Sequence, residues 1–361
     1  MREPSFSICI PNFNYAKYIG ETIKSVLDQS YENFEVVVVD NASTDDSVKV
    51  VESFGSSKIR LYRNRINVGF APNLQRATER AQNDYMILLS SDDLMYPDAL
   101  EAYAAALVTQ GPRAERTVLC STTDVITGTG ELSHVLYRPP GAQFHEEVLA
   151  EFAGSMKLDG SLEVHRGLAV LQKSLQEWRA PGTFCATCYP RSMWQAVEGY
   201  DVTYQFGPDT VFLHKLLSLD PDYVYVRKRL FRYRKHATNQ NATAVAQGAL
   251  KAQVEGYMRI LNYPDSLLAA AGVSRETFRN SYIDEICARN TLRALADGHW
   301  IKALRIFSFG LATQPTQAFR SRTAYTAAGA LALGPVGKMV CRAVREKRAR
   351  DARARELGAS S

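Results

Sequence analysis

The chain lacks any apolar run approaching the ~20 residues of a membrane-spanning helix. It also lacks the Gly-x-Gly-x-x-Gly dinucleotide loop after its first expected strand, and the Gly-x-x-x-x-Gly-Lys-Ser/Thr phosphate loop. Of six cysteines in 361 residues, only Cys185 and Cys188 stand close together. A structural zinc needs four ligands, and no second pair lies at a suitable spacing. No thioredoxin-like context surrounds the Cys-x-x-Cys, so buried reduced thiols are expected. At 46% hydrophobic and 22% charged, the composition excludes a disordered, collagen-like or disulfide-scaffold protein. It suffices for one large or two modest domains. Met1-Arg2-Glu3-Pro4 opens without an apolar stretch of signal-peptide length, which points to the cytoplasm. The sequons at Asn41 and Asn241 are read as chance on the same ground.

Positive charge is unevenly spread. The net charge is +5, and residues 338–361 hold eight basic and three acidic side chains. That tail accounts for the whole excess, so residues 1–337 are formally neutral and the body has no nucleic-acid-binding character.

Phe6–Ile10 reads as a buried strand stopped by Pro11, which cannot donate to a ladder. Tyr18/Ile19, Thr22/Ile23 and Val26/Leu27 form one helical stripe. Phe34–Val39, with four consecutive valines, suits a parallel strand covered on both faces. A helix marked by Val48, Val51 and Phe54, a strand at 59–62, a helix at 74–81 and a strand at 85–89 follow. This alternation implies an α/β, doubly wound, Rossmann-like sheet. Ligands of such sheets bind beyond the carboxyl ends of the strands. Three polar clusters lie at those ends: Pro11-Asn12-Phe13-Asn14, Asp40-Asn41 and Asp92-Asp93. Adjacent carboxylates repel phosphate but can hold a hard divalent cation that bridges to a diphosphate. As a plain alternative, Asp92-Asp93 caps the helix that follows Pro97.

Several motifs in order resemble glycosyltransferase family 2, the inverting enzymes of GT-A fold. Ile10-Pro11-Asn12-Phe13-Asn14-Tyr15 is similar to the family's opening element, and Ser25-Val26-Leu27-Asp28-Gln29-Ser30-Tyr31 to its next. Val37-Val38-Val39-Asp40-Asn41-Ala42-Ser43-Thr44-Asp45, Asn67-Val68-Gly69 with Asn73, and Ser91-Asp92-Asp93 follow in register. The resemblance is strong over residues 5–100, weaker to about 240 and absent beyond. It implies a nucleotide-sugar site made by Pro11, Asn12, Phe13, Asn14, Asp40, Asn41, Asn67, Ser91, Asp92 and Arg234. Asn41 stands where the family often has Asp; its amide oxygen is expected to accept from a pyrimidine N3–H. Asp92 is expected near the ribose, with Asp93 and His236 as ligands of Mg²⁺ or Mn²⁺ on the diphosphate. Asp209 matches the family's general base, with Pro208 replacing the usual Glu. Proline suits the first position of a helix. There the helix dipole lowers the basicity of Asp209, and a neighbouring diphosphate raises it. Arg234 and His236 lie in Tyr233-Arg234-Lys235-His236-Ala237-Thr238-Asn239, similar to the family's closing element. The remaining histidines (134, 145, 165, 214 and 299) show no metal spacing.

The implied domains are a GT-A domain at 1–243, with a nucleotide-sugar half at 1–110 and an acceptor half at 111–243, and a helical extension at 244–361. Within the acceptor half, residues 165–178 read as helical. Helices are expected at 249–261, 275–296, 299–312 and 322–357. Val336, Met339/Val340 and Ala343/Val344 make an apolar stripe beside Lys338, Arg342 and Arg345. Such a basic amphipathic helix suits an anionic membrane surface; packing of the stripe on the body is the alternative. The implied activity is inverting, metal-dependent transfer from a UDP-, dTDP- or GDP-sugar to a glycan or lipid-linked acceptor. A cytoplasmic chain, peripheral on the inner face of the membrane, in polysaccharide synthesis fits that activity. A nucleotidyltransferase and a non-catalytic nucleotide-sugar-binding scaffold are the rivals.

Overall fold

The computed structural model describes residues 3–137, 139, 146–150, 153, 156, 158–204, 207–237, 239 and 250–345. His145, Phe206, the sequon at 241–243 and the basic tail after 345 lie outside the described residues. The chain divides into two compact units. The first comprises 1–171 with 180–239, the second 172–179 with 240–361.

The first unit is built on one mixed sheet. Strand β1 (Phe6–Asn12), helix α1 (Ala16–Leu27), β2 (Phe34–Asp40), α2 (Ser47–Glu52), β3 (Ile59–Arg63), α3 (Phe70–Glu79) and β4 (Tyr85–Leu88) alternate along the chain. β1 pairs in parallel with both β2 and β4, and β2 in parallel with β3. Ile8, Ile10 and Val36 to Val39 are buried, as a strand covered on both faces requires. The stripe expected on α1 is buried at Tyr18, Ile19, Thr22, Ile23 and Val26.

Pro11 does not stop β1. The strand runs on to Asn12, with Pro11 opposite Val39. On its other side the pairing with β4 ends at Cys9 and Leu88, so no neighbour there asks Pro11 for an N–H.

Further along come β5 (Leu94–Met95), α4 (Ala99–Gln110), β6 (Thr117–Thr127), β7 (Leu132–Tyr137), β8 (Glu146–Leu149) and β9 (Leu162–Arg166). Then follow α5 (Gly167–Glu177), β10 (Cys188–Pro190), α6 (Arg191–Ala196), α7 (Pro208–Ser218) and β11 (Asp222–Lys235). The sheet order is β3-β2-β1-β4-β10-β6-β11-β5, with β7 on β6, β8 on β7 and β9 on β11. Short β10 runs antiparallel to β4 and β6 and joins the parallel half to the long β6–β11 pair. That pair is irregular around Arg229, whose guanidinium grips buried Asp124 at 2.6 and 2.5 Å. His165, expected in a helix, lies in β9 opposite Tyr223; the helix starts two residues later, at Gly167.

The second unit is helical among its described residues, with helices at Lys251–Asn262, Asp265–Ala270, Arg275–Ser281, Arg289–Ala296, Trp300–Thr313, Pro315–Arg320 and Arg322–Ala332. A π-helical turn at Tyr282–Ala288 joins two of them. The helix expected to begin at 322 is broken by a turn at 333–334, where Gly334 takes φ 55°, and helix resumes over 335–345. No helix among the described residues is long and apolar enough to cross a membrane.

Gly199 connects this architecture to the placement of α7. It takes φ +67°, and a Cβ there would lie 2.4 Å from Gln75 Oε1 and 2.7 Å from the Trp194 ring. The same Gln75 oxygen accepts the Tyr200 N–H at 2.7 Å, and Tyr200 stacks on Phe212 of α7 at 4.3 Å. Gly199→Val is therefore expected to lose about 1–3 kcal/mol in urea unfolding. An unchanged midpoint would show that Gly199 has no such steric role.

Candidate functional site

Site geometry begins at the carboxyl ends of β1 and β2. Asn12 Nδ2 donates to Asp40 Oδ1 at 2.8 Å and to Ser43 Oγ at 3.2 Å. Asp40 Oδ2 accepts the Ser43 N–H at 3.0 Å, and Ser43 Oγ accepts the Asn14 N–H at 2.9 Å. Asn14 Oδ1 closes the circuit on the Thr44 N–H at 2.8 Å. Asn14 and Ala42 sit at φ 58° and 62°, a conformation side chains adopt reluctantly and which this lattice enforces. Asn12 and Asp40 are buried, and Asn12 Oδ1 has no protein partner. Phe13 is exposed.

Asn41 has a different role from the expected base contact. Its Oδ1 accepts from Asn64 Nδ2 at 2.9 Å and from the Val68 N–H at 3.0 Å. Its Nδ2 donates to Asn67 Oδ1 at 2.8 Å and to the Gly69 carbonyl at 3.1 Å. A side-chain amide offers two donors and two acceptor positions, and all four are engaged. Asn73, donating to the Val39 carbonyl at 3.1 Å and accepting from Asn64 at 2.9 Å, ties the same turn to β2. Asn41 and Asn67 thus brace the turn before α3, and Asn41 has no hydrogen-bonding position left for a base.

At the end of β4, Ser91 Oγ donates to the Pro11 carbonyl at 2.8 Å, and Thr22 of α1 donates to the Ser91 carbonyl at 2.9 Å. These bonds fold Ser91, Asp92 and Asp93 inward, and all three are buried. The end of β11 meets them. The Arg234 N–H donates to Asp93 Oδ1 and Arg234 Nε to the Asp92 carbonyl, each at 2.9 Å. His236 Nε2 lies 2.9 Å from Asp92 Oδ2, and Asn239 Nδ2 donates to that same oxygen at 2.7 Å. Asn239 Oδ1 accepts the His236 N–H. The imidazole thus faces Asp92; Asp93 and His236 were the expected metal ligands.

Burial raises the carboxyl of Asp92 above its ordinary range, against the opposing pull of His236. Burial raises Asp93 further, helped by the neighbouring Asp92 charge. Asp93 Oδ2 is buried without a hydrogen-bond partner. Two coupled carboxylates at the tip of one strand form an electrostatically costly arrangement that a cation would relieve. Among the described residues, no three His, Cys, Asp or Glu converge as a complete protein-only metal site.

Arg234, expected at the nucleotide sugar, and residues that local spacing did not single out complete the surroundings. Arg234 is buried, and its guanidinium donates to Glu21 Oε2 at 2.6 Å and to the Gly128 carbonyl at 3.3 Å. Tyr18 lies under both groups, 4.5 Å from the His236 ring and 5.1 Å from the guanidinium. Tyr18 belongs to the α1 stripe and reads in sequence as core alone; Asn239 stood in the closing element with no role. Cys185 and Cys188 are free, buried thiols whose pKa burial drives upward. Cys185 lies against Asp93.

Asp209 occupies the first turn of α7, after Gly207 in the left-handed conformation (φ 60°, ψ 37°) and Pro208. Proline at the helix start is as expected. Asp209 is half-buried, and its charge helps raise the pKa of Tyr200, which burial raises most. Tyr200 and Tyr189 of β10 both pack on Phe212 of α7.

Comparison with known proteins matches residues 7–145 to Glycosyl transferase family 2. This segment belongs to that family. It contains the Asn12–Asp40 lattice and the Asp92–Asp93 pair; Asp209, Arg234, His236 and Asn239 lie beyond it. The chain is 33% identical over 107 residues to the "Putative glycosyltransferase EpsE" of Bacillus subtilis (strain 168), covering 29% of this chain and 38% of that protein. It is 36% identical over 101 residues to the "Putative teichuronic acid biosynthesis glycosyltransferase TuaG" of the same organism, covering 27% and 40%. The chain thus spans about two fifths of the length of these relatives. Among solved structures, S. aureus TarS 1–349 aligns with a TM-score of 0.57 at 14% identity, over 96% of this chain and 92% of that one. The same protein in complex with UDP-GlcNAc aligns with a TM-score of 0.56 at 16% identity, over the same shares of both chains. At that identity the likeness is one of fold, and it supports the GT-A architecture with a helical C-terminal region.

Two variants test the site as described. Asp93→Asn keeps an oxygen for the Arg234 N–H and removes a desolvated charge. It is expected to raise the melting temperature by about 2–4 °C for each kcal/mol relieved; a lower melting temperature contradicts the account. Asn239→Ala strips Asp92 of a donor and frees the His236 backbone. It is expected to lose about 1–3 kcal/mol of stability, read by chemical denaturation.

Proposed function

We propose that the chain is an inverting, metal-dependent glycosyltransferase that moves a sugar from a nucleotide diphosphate sugar to an acceptor hydroxyl. One observation carries this reading: the buried Asp92–Asp93 pair, with His236 2.9 Å from Asp92, lies at the carboxyl ends of the parallel strands. The glycosyltransferase names of EpsE and TuaG support the same class of reaction, and UDP-GlcNAc bound to TarS supports the class of donor. The teichuronic acid pathway named for TuaG favours a polysaccharide or lipid-linked acceptor.

The residues fit a Mg²⁺ or Mn²⁺ ion. Asp93 Oδ2 is buried without a hydrogen-bond partner, and Asp92 adds a second carboxylate next to it in the chain. Ions of this kind take one or two carboxylates and fill the remaining positions with phosphate and water. Asp92 and Asp93 would hold it, with His236, expected as a ligand, engaged on Asp92 instead, and when bound it would supply charge neutralisation on the departing diphosphate.

The chain's own groups do the rest. Asn239 and His236 hold the Asp92 carboxylate in one orientation, and Arg234 fixes the Asp92 carbonyl. The Asn12–Asp40–Ser43 lattice shapes the nucleoside end, where the exposed Phe13 ring is available to a base. Asp209, held on the first turn of α7 by Gly207 and Pro208, takes the acceptor hydroxyl proton on a carboxylate oxygen. The hydroxyl oxygen attacks the anomeric carbon opposite the leaving diphosphate, so configuration inverts. A positioned base of this kind contributes typically ~10²–10⁴-fold.

The test is a panel of UDP-, dTDP- and GDP-sugars with Mg²⁺ or Mn²⁺, reading release of nucleoside diphosphate. Asp209→Asn is expected to lose at least ~10²-fold in turnover while retaining nucleotide binding. Asp92→Ala is expected to weaken metal-dependent nucleotide binding. Pyrophosphate release would assign nucleotidyl transfer instead, and full turnover in Asp209→Asn would remove the base from its role.

A further inference from the structure

We propose that the outward face of the 335–345 helix docks on an anionic lipid bilayer, independently of the reaction above. The helix is amphipathic in an inverted sense. Its inward side is made of small residues: Gly337 is buried, and Cys341 packs against the cluster of Leu295, Ile306, Ala330 and Leu331. A Cβ at Gly337 would stand 1.9 Å from the Ala330 carbonyl oxygen, so the helix is seated at backbone contact on this side. Arg345 pairs with Asp297, and the ammonium end of Lys338 lies over Gly298. The contacts at 337, 341 and 345 recur at helical spacing and define one face.

The apolar stripe lies on the other face. Val336, Met339 and Val340 are 57%, 71% and 52% exposed, with Val344 at the margin at 47%. Within the second unit the stripe is exposed, against the packed alternative left open by the sequence. The neighbouring helix repeats the chemistry. Trp300 and Ile301, 46% and 65% exposed, follow directly after the Asp297–Gly298 segment that Arg345 and Lys338 contact. Lys302 and Arg305 on that helix are exposed as well.

Charge selects the occupant. Residues 338–361 carry the whole net charge of +5. A second copy seated on this face would bring two such tails together, whereas an anionic lipid surface attracts each of them. Apolar side chains, a tryptophan and flanking bases are the composition that lies in the headgroup region of a bilayer.

The full chain is sedimented with vesicles of phosphatidylcholine alone, or with about 30% phosphatidylglycerol to supply the anionic surface. Binding is expected only to the anionic vesicles and is expected to weaken in high salt. Met339→Asp with Val340→Asp is expected to lower the bound fraction about tenfold, with the thermal melt and donor-sugar hydrolysis unchanged. Replacing Arg348, Arg350 and Arg353 by Gln removes charge without touching the stripe and is expected to weaken binding as well. The proposal is overturned if the wild-type chain stays off anionic vesicles, or if either variant binds undiminished. It is equally overturned by a dimer in lipid-free buffer that the Met339/Val340 variant converts to monomer.

Discussion

Two adjacent carboxylates buried at the end of one strand are the constraint around which the first unit is arranged. Water stabilises ionised Asp92 and Asp93 in the unfolded chain, and the folded chain must replace that solvation or suppress the charge. The replacement comes from the end of β11 and the residues just after it, more than 140 residues away along the chain: the Arg234 N–H on Asp93, and His236 and Asn239 on Asp92. One oxygen of Asp93 is left without a partner.

The two ends of the site are held by different means. Beside β2, asparagine side chains do the work of backbone: Asn41, Asn64, Asn67 and Asn73 knit the turn before α3 to the end of β2. Beside β4, a single buried arginine links α1, the Asp92 carbonyl and the Gly128 turn. The first arrangement is neutral and local. The second is charged and long-range, and it rests on the register of β11, which is broken around Arg229.

Periodicity made the alternating half of the fold legible. The valine run of β2 and the four-residue stripe of α1 encode burial directly, because a strand repeats every two residues and a helix every 3.6. The second half was less so. β10 is three residues long, and His165 falls in a strand that is ordered by pairing with β11. Pro11 misled for a related reason: a missing N–H matters only where a neighbouring strand needs it, and β4 has ended by then.

By itself the sequence determined the residue types at the strand ends, the position of Pro208 and Asp209 at a helix start, and the concentration of positive charge in the tail. These depend on local chemistry or on counting. Tertiary structure alone decided which groups meet. It gave His236 to Asp92, filled every position of the Asn41 amide, brought Tyr18 under Arg234, and left the Val336–Met339–Val340 stripe exposed. The physical reason is the same in each case. Hydrogen bonds and close packing are satisfied between elements far apart along the chain, and spacing within one element carries no record of what lies opposite it.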